Sequence, residues 1–147
     1  MDGFARFLRG LGATALTWLL WLLGGWDAAL GLMFTAMGLD YFTGVLAALL
    51  GRSDKTADGG FRSSVAFLGL TKKLLMLVIV ALGTLVDRLT GAQGVCRLAA
   101  IGFYAANDGM SIIENARALG VPFPKGLLAL LERMRSRHDA AGDDPPD

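Results

Sequence analysis

The chain is poor in the residues that chemistry needs. It holds one cysteine, Cys96, and one histidine, His138. A single cysteine excludes an intrachain disulfide framework, and within its apolar run Cys96 serves as a small hydrophobic residue. With one Cys and one His, a zinc site would have to be built from carboxylates, which is uncommon for that metal. No glycine-rich phosphate loop follows a strand, and no nucleophile elbow is present. These absences argue against an enzyme, and nothing calls for a cofactor or a metal. The net charge of +1 gives no reason to expect a nucleic-acid partner.

What the chain has is apolar length. Hydrophobic residues make up 54% of its 147 residues, and its mean hydropathy is +0.51. Soluble domains sit near 45–50% apolar and lack long uncharged runs, so a membrane class is favoured. Four segments stand out, at 10–26, 28–50, 65–86 and 95–113. Each is long enough for a helix to cross a ~30 Å hydrocarbon core or nearly so, and period-two alternation is absent. The expected fold is an all-α membrane bundle of about four helices, with three the alternative count. The count turns on 10–26, which spans only about 25 Å as a helix. Behind Arg6 and Arg9 it also resembles a signal peptide, although GGWDAAL is a poor cleavage site, and a helix lying in the interface is a third reading.

Basic residues set the expected topology. Arg6 and Arg9, then Arg52, Lys55 and Arg62, then Arg117, Lys125, Arg133, Arg135 and Arg137 put ten on one side, against Arg88 and Arg97 on the other. The positive-inside rule then places residues 1–9 and the C-terminal portion in the cytoplasm. After the fourth span, 114–137 is expected to form a basic amphipathic juxtamembrane segment, suited to an anionic surface or to docking within an oligomer. Residues 138–147, acidic and proline-containing, are expected to be a disordered tail.

Within the spans, a few polar groups are conspicuous. Asp40 lies in the middle of AALGLMFTAMGLDYFTGVLAALL, where a carboxylate costs about 2.5–3.5 kcal/mol on insertion scales. Lys72 and Lys73 interrupt the third segment, and Asn107 and Asp108 the fourth. Counted from the inner ends at 1.5 Å per residue, Asp40 lies about 15 Å deep, the lysines about 10–12 Å and Asp108 about 8 Å. Asp40 is therefore expected to pair with Lys72 or Lys73, with Asp108 neutralising the other; the plainer alternative is that both lysines snorkel to the headgroups. Arg97, Tyr104, Asp108, Ser111 and Asn115 recur at helical spacing as one polar face, which should look toward other helices or water. Ala36, Gly44, Ala48 and Gly51 flank Asp40 as a small-residue stripe for close helix packing.

These residues carry a family resemblance. LDYFTGVLAALL at 39–50, GLTKKLL at 69–75 and VALGTLVDRLTG at 80–91 resemble the toxin-secretion/phage-lysis holin family. The most specific piece is FYAANDGMSIIENARALGVPFPKGL at 103–127, an aromatic segment, an Asn–acid pair, Ser-Ile-x-Glu-Asn and Gly-x-Pro-x-Pro-Lys. The resemblance covers roughly 28–132. One departure is Asp108, where the family commonly has glutamate; another is 10–26, where family topologies diverge. What the resemblance implies is a small protein that accumulates and self-associates in the bacterial cytoplasmic membrane, then opens a lesion for an endolysin or toxin. An antiholin or accessory subunit would share these motifs, and a small ion or solute channel is a further reading of the charged spans.

Overall fold

Four α-helices follow one another, with no strand among the described residues of the computed structural model, which are 2–53, 55–56, 59–124 and 126. They are α1 (Asp2–Leu22), α2 (Ala28–Leu49), α3 (Ser63–Thr90) and α4 (Val95–Ala118). The expected second segment matches α2 closely, whereas α3 and α4 run past the expected limits of 65–86 and 95–113. Residues 114–118 thus continue α4; the remainder of the expected juxtamembrane helix and the whole 138–147 tail lie outside the described residues, apart from 119–124 and 126.

The first segment departs most from expectation. Instead of one helix over 10–26, α1 begins at Asp2 and stops at Leu22. The stop has a local cause: Gly24 and Gly25 take φ of +86° and +90°, a conformation that glycine adopts without steric cost and that ends a helix. Asp27 then starts α2, accepting the Leu30 N–H at 2.8 Å on its carboxylate. An acid immediately before an apolar helix is a strong N-cap because it satisfies a donor the helix cannot.

α4 is the centre of the bundle. It packs along both α2 and α3, which themselves barely meet, while α1 is peripheral and lies mainly against α3. The apolar core is small and lies toward one end, built from Leu23, Leu30, Met33, Met37, Val80, Ala81 and Ile101. Further along, the buried positions are taken by Asp40, Lys73, Asp108 and Asn115. The exterior is the reverse: Phe42, Phe67, Leu74 and Leu82 are 64%, 72%, 58% and 55% exposed. A soluble protein does not surround buried charges with an apolar coat of this extent. Exposed Thr14 and Thr35 and half-buried Thr71 each donate to the carbonyl four residues back, so their hydroxyls need no water. Two helices, α2 and α3, are long and apolar enough to cross a membrane.

Candidate functional site

Helix periodicity brings the charged groups together. Asp40 on α2, Lys73 on α3 and Asp108 on α4 all point to the bundle axis and are at most 8% exposed. The Lys73 ammonium lies 2.8 Å from Asp40 Oδ2 and donates to both Asp108 oxygens at 3.0 Å. One lysine thus joins three helices through two carboxylates. Asn115, one turn from Ser111 on the same face of α4, donates to Thr43 Oγ1 at 3.0 Å and to the Asp40 carboxylate at 3.4 Å.

Counting formal charges, Asp40, Asp108 and Lys73 sum to −1. The nearest further cation is Lys55, from the loop after α2, with its Nζ 4.0 Å from Asp40 Oδ1 and its side chain about half exposed. It reaches Asp40 across a crevice between α2 and α3, lined by Gly44, Ala48 and Gly69 and about 70 Å³ in volume. That is room for water beside the carboxylate. Small side chains on both walls keep the crevice open.

At the other end, Arg97 makes a second junction. Its Nη1 and Nη2 donate to the Asp27 carboxylate at 2.7 and 3.1 Å, its Nε to the Leu23 carbonyl at 2.6 Å and its Nη2 also to the Gly25 carbonyl at 3.2 Å. These hydrogen bonds, foremost, hold the Asp27 carboxyl below the usual carboxylate range. Gly24 is required beneath the guanidinium, because a Cβ there would lie 2.6 Å from Arg97 Nε. Asp87, at the end of α3, accepts the backbone N–H groups of Cys96 and Arg97 at 2.9 and 2.8 Å. It caps α4 from a neighbouring helix, since the N-cap residue Gly94 has no side chain to do so. Arg88 donates to the Trp21 carbonyl at 2.6 Å and lies over the Trp21 ring at 4.0 Å. The loop between α1 and α2 is thereby fastened to the α3–α4 turn.

Several positions differ from the sequence expectation. Lys72 and Asn107 do not join the buried network; both are exposed, because each precedes an inward-facing residue by one position and is rotated about 100° from it. Asp108 consequently shares Lys73 with Asp40 instead of neutralising Lys72. Gly51 is not on a packing face: it is exposed beyond the end of α2 with φ +67°, where glycine terminates the helix. Ala36 is buried, and Gly44 and Ala48 are half-buried. Tyr104 and Ser111 are also half-buried. Sequence reasoning passed over Asp27, Asp87, Thr43 and Lys55. Asp27 carried a readable signal, an N-cap acid directly before an apolar run; the loop lysine carried none. Among the described residues, no group of three or more His, Cys, Asp or Glu side chains is arranged to hold a metal ion.

Comparison with known proteins gives a consistent outcome. The family model for the bacteriophage holin family matches residues 17–136. An uncharacterised protein of Clostridium perfringens is 34% identical over 121 residues, covering 81% of this chain and 84% of its own. A probable holin of Bacillus phage phi105 is 31% identical over 110 residues, covering 75% of this chain and 76% of its own. An uncharacterised protein of Halalkalibacterium halodurans is 33% identical over 111 residues, covering 72% and 77%. No solved structure matches. With a family model spanning most of its length, buried charge inside an apolar coat and helices fit to cross a bilayer, this chain belongs to the bacteriophage holin family.

Proposed function

We propose that this protein is a working holin, accumulating in the bacterial cytoplasmic membrane and assembling there to open a lesion that releases an endolysin or toxin. The observation that carries the reading is the inverted polarity of the bundle in a member of this family. An apolar exterior suits lipid, and the charges inside serve to hold helices together, not to catalyse. α4 has lower hydropathy than α2 and α3, yet its charged residues Arg97 and Asp108 are paired inward, which makes a membrane position tolerable. Lesion formation follows from self-association: charges satisfied within one chain can line water only when several chains rearrange around a common space. No enzymatic step is involved.

The accompanying topology has four spans, α1 to α4, with both termini cytoplasmic. It rests on the asymmetry of basic residues. In a chain with Cys96 replaced by serine, a membrane-impermeant thiol reagent applied to intact cells is expected to label Trp26→Cys and to spare Ser53→Cys until the membrane is opened. Labelling in the reverse sense would overturn this orientation. The function itself is tested by induction in a bacterium with and without a cytoplasmic endolysin. Lysis that requires both genes is the expected result. An antiholin would instead delay lysis by a partner holin and produce none alone.

A further inference from the structure

Beside the Arg97 junction the bundle holds a cavity of about 250 Å³, between the Gly24 bend and the α3–α4 turn, lined also by Thr84, Asp87, Arg88, Gln93 and Arg97. It has room for a polar group several times the size of a water. The charges in its wall are not equally engaged. Arg97 is paired with Asp27, and both Asp87 oxygens accept α4 amides. Arg88 is exposed and has no carboxylate partner among the described residues. One Nη donates to the Trp21 carbonyl, and the guanidinium rests on the Trp21 ring. Those contacts fix its position and leave Nε and the other Nη as free donors.

Gln93 adds an independent observation. Its φ is +49°, the one positive value at a non-glycine position among the described residues. Such a backbone is strained for a residue with a side chain and without cost for glycine. The Gln93 carboxamide is exposed and forms no hydrogen bond among the described residues. A strained residue whose donor and acceptor both remain free at the edge of a cavity points to a ligand that uses them.

We propose that this cavity binds a phosphoglycerol headgroup, that of an anionic phospholipid in the outer leaflet. The inference rests on the membrane-spanning reading above, in which this end of the bundle meets the outer interface. Arg88 lies in the last turn of α3, and Trp21 and Trp26 at the same end are 55% and 65% exposed, as tryptophans are at a membrane–water boundary. The cavity therefore lies at headgroup depth. A guanidinium matches a phosphate with paired N–H donors. The Gln93 carboxamide offers donors and an acceptor to glycerol hydroxyls. Thr84 donates its own proton to the Val80 carbonyl, so its hydroxyl oxygen is left to accept from the headgroup. Leu89 and Val95, next in the chain to Arg88 and Gly94, are 87% and 64% exposed and give the acyl chains an apolar surface. A choline or ethanolamine headgroup would instead set a cation beside Arg88 and Arg97, with both Asp87 oxygens already taken.

The test is tryptophan quenching in the full chain, reconstituted into phosphatidylcholine bilayers that carry a minor fraction of brominated lipid. The tryptophans of the chain are Trp18, Trp21 and Trp26, so emission reports this end and not the basic residues at the other. Brominated phosphatidylglycerol is expected to quench more than the same fraction of brominated phosphatidylcholine, with a relative affinity higher by roughly tenfold. Arg88→Gln should bring the two lipids close to equality. Gln93→Gly, which relieves the backbone, should leave the fold intact and still lower the preference roughly threefold. Arg9→Gln, at the opposite end of α1, should not alter it. Equal quenching by the two lipids, or a preference indifferent to both Arg88→Gln and Gln93→Gly, would overturn the site. A preference abolished by excess inorganic phosphate would show a free-anion site and overturn the lipid as its occupant. Lysis beside an endolysin without any lipid preference would leave the holin reading intact and refute this site alone. A preference that depends on Arg88 in a chain that never lyses cells would support the site and count against the holin reading.

Discussion

Replacing Lys73 by methionine is expected to prevent the chain from accumulating as a folded membrane protein, whereas the same change at the adjacent Lys72 should be nearly silent. Lys73 is the ammonium between Asp40 and Asp108, at 2.8 Å from one and 3.0 Å from the other. Without it, two buried carboxylates face each other with only the half-exposed Lys55 nearby. Removing one partner of a buried ion pair costs about 3–5 kcal/mol, a large fraction of the ~5–15 kcal/mol that holds a typical domain together. Lys72 is exposed and makes no ion pair among the described residues, so its loss should stay within about 0.5 kcal/mol. Steady-state amount in membranes and protease resistance after mild detergent extraction would report both. A chain carrying Lys73→Met with Asp40→Asn and Asp108→Asn should recover much of the loss, because the uncompensated charge has gone. Equal behaviour of the two lysine variants would contradict the triad.

The second large effect is expected at Arg97. Arg97→Leu removes four hydrogen bonds, two to the Asp27 carboxylate and two to the Leu23 and Gly25 carbonyls. A charge-assisted hydrogen bond is worth about 1.5–3 kcal/mol, and the carbonyls of a glycine-bent loop have no helical partner to fall back on. The expected consequence is local: α1 and the start of α2 should detach from the α3–α4 turn while the Lys73 triad stays formed. Proteolysis within 22–27 should rise at least several-fold, with cleavage in α3 unchanged. Arg97→Lys should give an intermediate result, since an ammonium keeps the charge but cannot form the two-pronged contact. Loss of the whole bundle on Arg97→Leu would show that the two junctions are not independent.

The parts of this architecture that could be read from the chain are those that periodicity controls. The apolar runs around Leu30–Leu49 and Val65–Val86 announce helices by length alone, and the recurrence of Arg97, Tyr104, Asp108, Ser111 and Asn115 marks the inward side of α4. The choice between Lys72 and Lys73 was not readable. Both lie at nearly the same depth, and which one faces Asp108 depends on the rotation of α3 about its axis, a property of packing and not of spacing. The same 100° step separates buried Asp108 from exposed Asn107. Depth arithmetic placed the four groups together but carries no information about azimuth. The break after Leu22 was readable in principle, since Gly24-Gly25 followed by Asp27 is a helix stop followed by a helix start. The continuous hydrophobicity of the segment through Trp26 concealed it.

On the function proposed above, these bundles permeabilise the membrane collectively. Collective permeabilisation is tested most directly by following membrane potential in single cells after induction at several expression levels, with the amount of protein per cell measured in parallel. A collective rearrangement predicts a potential that holds steady while protein accumulates, then collapses within a small fraction of the delay, at a similar membrane density whatever the induction rate. Depolarisation that begins at once and grows in proportion to the amount of protein would contradict it.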